Sequence, residues 1–99
     1  EIPRQKEVVL YRIVQELLNN AVKHSGAATI LAQVMRHGSH ISITVEDNGK
    51  GFDKDKILQD EGLQTIRSRV NYLKGNLDVQ TAPGRGTSVH IDCTIENNG

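Results

Sequence analysis

The apolar residues of this chain change their spacing three times, and that succession of periods leaves few folds open. Between Gln5 and Lys23 they recur at helical intervals, as Leu10, Ile13 or Val14, Leu17 and Ala21. At about 100° per residue, Leu10, Val14, Leu17 and Ala21 fall within about 60° of one another, a stripe suited to a core. Pro3 precedes this helix, and Ser25-Gly26 offers a left-handed stop after it. The period then drops to two. Thr29 to Arg36 sets Ile30, Ala32 and Val34 against Leu31 and Met35, and His40 to Glu46 sets Ile41, Ile43 and Val45 against Ser42, Thr44 and Glu46. His37-Gly38-Ser39 between them predicts a hairpin. After a break at Asp47-Asn48-Gly49-Lys50-Gly51, helical spacing returns in Leu63, Ile66, Val70 and Leu73, over Gly62 to Lys74, and Gly75 ends it. Leu77 and Val79 then read as a short strand. Pro83-Gly84 starts a turn, and Thr87, Val89, Ile91, Cys93 and Ile95 form a last strand opposed by Ser88, His90, Asp92 and Thr94. Asn97-Asn98-Gly99 reads as a frayed end.

Helix, two strands, loop, helix and two strands, with most strands apolar on one face only, predict an α+β fold. The expected form is a two-layer α/β sandwich, its sheet mostly antiparallel and its helices packed on one face. The 99 residues are enough for one core, so residues 1–99 read as a single domain without linker or repeat. Lys+Arg and Asp+Glu are both 12, and this balance argues against gripping nucleic acid or anionic lipid through a bulk positive field. One cysteine cannot make an internal disulfide, and no Cys/His cluster has zinc spacing, so a reducing, cytoplasmic setting is expected. No apolar run is long enough to span a membrane, and no secretory leader opens the chain. The start at Glu1-Ile2-Pro3, without an initiator Met, reads as a piece of something longer, whose tether or sensor would lie elsewhere.

Four places depart from what folding alone requires. On the first helix Asn20 lies about 40° from Glu16 and Lys23 about 20° to the other side, whereas Asn19 is about 100° from Asn20. Carboxylate and carboxamide oxygens beside a cation suit a metal–phosphate site; the plain alternative is a solvated edge of Glu/Lys pairs. In Asp47-Asn48-Gly49-Lys50-Gly51, an acidic strand end can accept from an exocyclic amine, and the glycines permit close backbone approach. The alternative is an ordinary Asn-Gly loop. Glu61-Gly62-Leu63 opens the second helix with free N–H groups that suit an anion, or else with a common glycine cap. Pro83-Gly84-Arg85-Gly86-Thr87 needs no ligand as a turn; Arg85 and Thr87 make a functional role worth considering.

Together and in this order, the four segments resemble the ATP-binding catalytic domain of bacterial sensor histidine kinases, in the GHKL or Bergerat-fold ATPase group. Gln15-Glu16-Leu17-Leu18-Asn19-Asn20-Ala21-Val22-Lys23-His24 is similar to its N box, and Asp47-Asn48-Gly49-Lys50-Gly51-Phe52 to its first glycine box. Glu61-Gly62-Leu63 with Ile66-Arg67-Ser68-Arg69-Val70 resembles the second glycine box of kinases related to nitrate and lipid-fluidity sensors; Gly84-Arg85-Gly86-Thr87 resembles the last. The resemblance implies that Asn20 coordinates Mg²⁺ bridging the ATP phosphates and that Glu16 lies near the γ-phosphate, where ATP-hydrolysing relatives use it as a base. It implies that Lys23 contacts phosphate and that His24 lies near the nucleotide. Asp47 would recognise the adenine amino group, Gly49 and Gly51 would shape the pocket, Gly62 and Leu63 would border the phosphates, and Gly86 and Thr87 would support the adenine end.

This sequence also departs from the family pattern. Phe52 is its only Phe, so a Phe-rich box is missing. Ten residues separate Gly51 from Gly62, which implies a short lid, and Asp60 stands where the second glycine box usually has another glycine. None of His24, His37, His40 and His90 precedes an acidic residue, so the resemblance implies an acceptor histidine on a separate, upstream helical dimerisation domain, through which a response regulator would be reached. Alone, the chain is expected to bind ATP without autophosphorylating. The rival readings are a protein-serine kinase of the anti-sigma-factor type or an ATPase of the same fold, and an interaction module that has lost nucleotide binding.

Overall fold

The computed structural model describes residues 4–24, 26, 28–57 and 59–95, with the side chains at 24 and 54 outside the description. The boundary roles that the sequence suggests for Pro3, Ser25 and residues 97–99 fall outside the described residues. Helix α1 (Arg4–His24) buries Leu10, Ile13, Leu17 and Ala21. Of the two candidates the spacing leaves open, the core takes Ile13, fully covered, and leaves Val14 half-buried. Gly26 follows in the left-handed region at φ 62°. Strands β1 (Ile30–His37) and β2 (His40–Asp47) form the expected hairpin around Gly38-Ser39, in register from Ile30 against Asp47 to His37 against His40. A one-turn helix, α2 (Lys54–Ile57), interrupts the loop that the sequence leaves irregular. Asp53 starts it, accepting the Asp55 N–H at 2.9 Å.

Helix α3 (Glu61–Tyr72) packs beside α1 through Leu63, Ile66 and Val70. It ends differently from the sequence expectation. Lys74, not glycine, takes the left-handed conformation at φ 57°; its N–H reaches the Asn71 carbonyl and the Gly75 N–H the Val70 carbonyl, both at 2.9 Å. That is the Schellman pattern. Gly75 is required for a different reason, since a Cβ there would stand 2.6 Å from the Asp92 carbonyl oxygen.

β3 (Asn76–Thr81) and β4 (Thr87–Thr94) complete one antiparallel sheet of order β1-β2-β4-β3. Both helices lie on one face, α1 over β2 and α3 over β3. β1 at the edge is mostly uncovered: Leu31, Val34 and Met35 are 54%, 59% and 47% exposed, while Ile30 at its start packs against the core. The opposite, wet face carries a polar cluster. Asp92 accepts from the Ser42 hydroxyl at 2.7 Å and pairs with His40 and His90 at 3.1 and 2.8 Å, while Thr44 bonds His90 at 2.8 Å. No helix among the described residues is long and apolar enough to cross a membrane.

Candidate functional site

The helix-facing side of the sheet is built in cross-strand rows, and one row breaks the pattern. Ile41 faces Cys93; Ile43 and Leu77 flank Ile91; Val45 and Val79 flank Val89. All of these pack into the core, where burial pushes the Cys93 thiol above its ordinary pKa and keeps it protonated. The next row on the same face is Asp47, Thr87 and Thr81. A carboxylate and two hydroxyls thus stand where the period calls for aliphatic side chains. The Thr81 and Thr87 hydroxyls lie 2.9 Å apart, and Asp47 Oδ1 accepts the Gly49 N–H at 2.9 Å.

Above this row the helices part around a cavity of ≈ 230 Å³. Leu17, Asn20 and Ala21 of α1 form one wall, Leu63 and Ile66 of α3 another, and Val45, Asp47, Thr87 and Val89 the sheet side. Phe52, Lys56, Ile57 and Asp60 close it from the α2 segment. The lining is mostly aliphatic, with a few convergent polar groups, which is the usual make-up of a small-molecule site. Drug-sized ligands fill about 300–1,000 Å³, so this cavity has room for one apolar part of a larger molecule, whose remainder would lie at its mouth.

Two turns hold the sheet end of the cavity. The Gly84 N–H donates to the Lys50 carbonyl at 2.6 Å, and the Phe52 N–H to the Thr81 hydroxyl at 2.9 Å. Gly51 (φ 68°) and Gly86 (φ 74°) allow the turns to mesh: a Cβ on Gly51 would collide with the Ala82 carbonyl oxygen, and one on Gly86 with that of Asp47. Asn48 ties the same loop to the start of β1, accepting from the Thr29 N–H at 3.0 Å. Both glycines are buried in backbone contacts. They shape the wall from behind rather than lining the cavity.

At the other end, α3 begins beside Asn20. A Cβ at Gly62 would lie 3.0 Å from Asn20 Nδ2 and 3.4 Å from Oδ1, so the bare glycine leaves the carboxamide room to stand over the helix start. Asp60 caps that helix, accepting the Leu63 N–H at 3.1 Å.

Of the residues expected from the sequence, Asn20, Asp47, Leu63 and Thr87 share this cavity wall, with Gly62 next to Asn20. Gly49, Gly51 and Gly86 support it. Glu16 is half-buried one turn before Asn20, and Lys23 is exposed; neither lines the cavity. The His24 side chain is outside the described residues. Arg85 lines a separate depression of ≈ 310 Å³ with Glu46, Gln80 and Ser88, which shares Asp47 and Thr87 with the cavity. Sequence reasoning missed Thr81 and Lys56. Thr81 continues the alternation Leu77, Val79, which could have placed it on the core face; Lys56 sits in a helix whose start at Asp53 was readable as a cap.

An α+β sandwich with an aliphatic cavity between helices and sheet, an acidic residue at one end and a carboxamide over a helix start at the other defines a class. The chain belongs to the histidine kinase-, DNA gyrase B- and HSP90-like ATPase family, whose pattern matches residues 5–97. Within it, the chain is similar to sensor histidine kinases. It is 36% identical over 94 residues to the signal transduction histidine-protein kinase/phosphatase DegS of Brevibacillus brevis, covering 94% of this chain and 24% of that protein. It is 41% identical over 89 residues to the sensor histidine kinase ComP of Bacillus subtilis (strain 168), covering 87% of this chain and 12% of that protein. The histidine kinase domain of the Erythrobacter litoralis EL346 blue-light activated histidine kinase superposes with a TM-score of 0.81 at 26% identity, over 94% of this chain and 46% of that one. The chain therefore spans a quarter or less of these two full-length relatives.

Proposed function

We propose that this domain binds Mg·ATP and presents its γ-phosphate to a histidine on a separate helical domain of a two-component sensor kinase. The observation that carries the proposal is the polar pair Asp47 and Thr87 on the core face, facing Asn20 and the start of α3 across an aliphatic cavity, with Thr81 behind Thr87. In this reading the adenine lies between Val45, Ile57, Leu63 and Val89 with its amino group donating to Asp47. The phosphates run towards Asn20 and Gly62. Lys56 is the one cation in the cavity wall among the described residues, and Lys23 would have to swing in from solvent.

The residues present fit a divalent cation. Among the described residues no cluster of three or more His, Cys, Asp or Glu could hold one unaided, so the Asn20 oxygen would share it with the phosphates. When bound, such a cation supplies charge neutralisation along the triphosphate. The protein's own work is to position: the cavity excludes water from the base, Asn20 orients the phosphate chain, and Gly62 keeps the space around it clear. The incoming imidazole is itself the nucleophile, so Glu16 would not have to remove a proton from it. The acceptor domain, its upstream position, the regulator it would serve and a cytoplasmic location belong to this proposal, as does the status of residues 1–99 as a single domain.

Thermal unfolding of the chain with and without Mg·ATP tests the reading, since a ligand at 100 times its Kd adds about 2.7 kcal/mol of stability. Asp47→Asn should weaken ATP and narrow the preference over GTP, because the amide presents a donor as well as an acceptor at the base. Absence of binding at millimolar nucleotide would favour the interaction module.

A further inference from the structure

The start of α3 is already occupied by the protein itself, and the consequence for ligand choice rests on the nucleotide reading of the cavity. A helix start attracts anions because its first N–H groups are unpaired and its dipole is positive there. In this chain Asp60, in extended backbone (φ −68°, ψ 131°), turns its own carboxylate onto that end, and Oδ2 takes the Leu63 N–H at 3.1 Å. Asp60 is also part of the cavity wall, beside Asn20 and Lys56. The place a Gly62 Cβ would fill is 3.0 Å from Asp60 Oδ2 and 3.4 Å from Asn20 Oδ1, so a carboxylate and a carboxamide flank one bare backbone position.

We infer that Asp60 makes the site selective for metal-bound nucleotide over free nucleotide. A bare triphosphate entering here meets a fixed negative charge and finds the Leu63 N–H taken. The same carboxylate becomes favourable once a divalent cation covers the phosphate charge, because a carboxylate oxygen is a hard ligand that Asn20 Oδ1 can complement. Lys56, an exposed ammonium on a one-turn helix, offsets this repulsion only in part.

The test measures Kd for a non-hydrolysable ATP analogue by calorimetry, in excess EDTA and in excess Mg²⁺, for the unaltered chain and for Asp60→Asn. Asparagine keeps an oxygen to cap Leu63 but removes the charge. The expected result is an affinity in EDTA that rises about fivefold or more in the variant, as for loss of a like charge a few ångströms away in partly solvated surroundings. Affinity in Mg²⁺ should stay level or fall, so the ratio between the two conditions narrows. Asp60→Ser, a second uncharged cap, should behave alike, and thermal unfolding checks that both variants fold. An unchanged EDTA-to-Mg²⁺ ratio in both variants overturns the inference and leaves the nucleotide reading standing. So does an unaltered chain that binds equally with and without Mg²⁺. Failure of the unaltered chain to bind in either condition overturns both.

Discussion

Asn19 and Asn20 are chemically identical neighbours, yet α1 turns Asn19 to solvent and Asn20 into the cavity wall. Asn20→Ala should therefore weaken Mg·ATP binding about tenfold or more, because it removes the oxygen that would share the cation with the phosphates, while Asn19→Ala should leave it nearly unchanged; titration of both variants checks this. A second contrast separates glycines required by space from those required only by conformation. Gly51→Ala puts a Cβ into the Ala82 carbonyl at a positive φ and should cost more than about 3 kcal/mol, whereas Gly84→Ala (φ 79°) meets nothing within 4 Å and should cost about 1 kcal/mol. Denaturant melts of the two variants give the comparison. At this scale Asp47, Asn20 and Thr87 were legible because each breaks a local period. Thr81, which backs Thr87, and Lys56 in the wall were not singled out, because both places depend on contacts made across the fold. Asp60 was visible as a departure from the glycine box, but its capping bond needed the helix start in place.

The helices and hairpins follow their periods closely, and the differences between expectation and structure have identifiable causes. Of the two candidates left open on α1, the core takes Ile13 because the buried arc of Ile13, Leu17, Leu10 and Ala21 is centred on Leu17 and leaves Val14 at its edge. β1 shows apolar alternation on both faces yet is largely exposed, because α1 packs on β2 and α3 on β3, away from that edge. α3 stops at a left-handed Lys74 although a glycine follows, since Gly75 is held by its approach to Asp92. Left-handed backbone is unfavourable for a residue with a Cβ, so Lys74→Gly should stabilise the domain by about 0.5–1 kcal/mol, less if the unfolded chain gains freedom. A lower denaturant midpoint than the unaltered chain would contradict this.

For the molecule as a whole, the order β1-β2-β4-β3 could not be read from the chain, because nothing local says that β4 inserts beside β2. That insertion creates both faces that matter: the Asp47–Thr87 row towards the helices and the Ser42–Asp92–His90 cluster towards solvent. Donation from Ser42, hydrogen bonds from His40 and His90 and the charge of His90 hold the Asp92 carboxyl below its ordinary pKa, against partial desolvation. A depressed carboxylate stabilises the fold above its unfolded pKa, about 4, and that contribution is lost as pH falls through the lower folded value. The stability gap between the unaltered chain and Asp92→Asn should thus be fully open above about pH 4 and close as the pH falls below it, as read from thermal unfolding at each pH. A gap independent of pH would mean that the carboxylate charge is not what the cluster uses.

The meshed turns around Gly51 and Gly86 also bear on how such a domain can diversify. Residues 47–52 and 82–87 interlock backbone to backbone, so inserting or deleting a single residue in either would disengage both at once. The stretch from Asp53 to Asp60 touches the cavity with side chains and, among its described residues, is free of that mutual grip, so segments of different length can be exchanged there while the strands stay in register. Variation in nucleotide grip among descendants of this chain would accordingly accumulate in 53–60, and a designer seeking to retune it would graft there first.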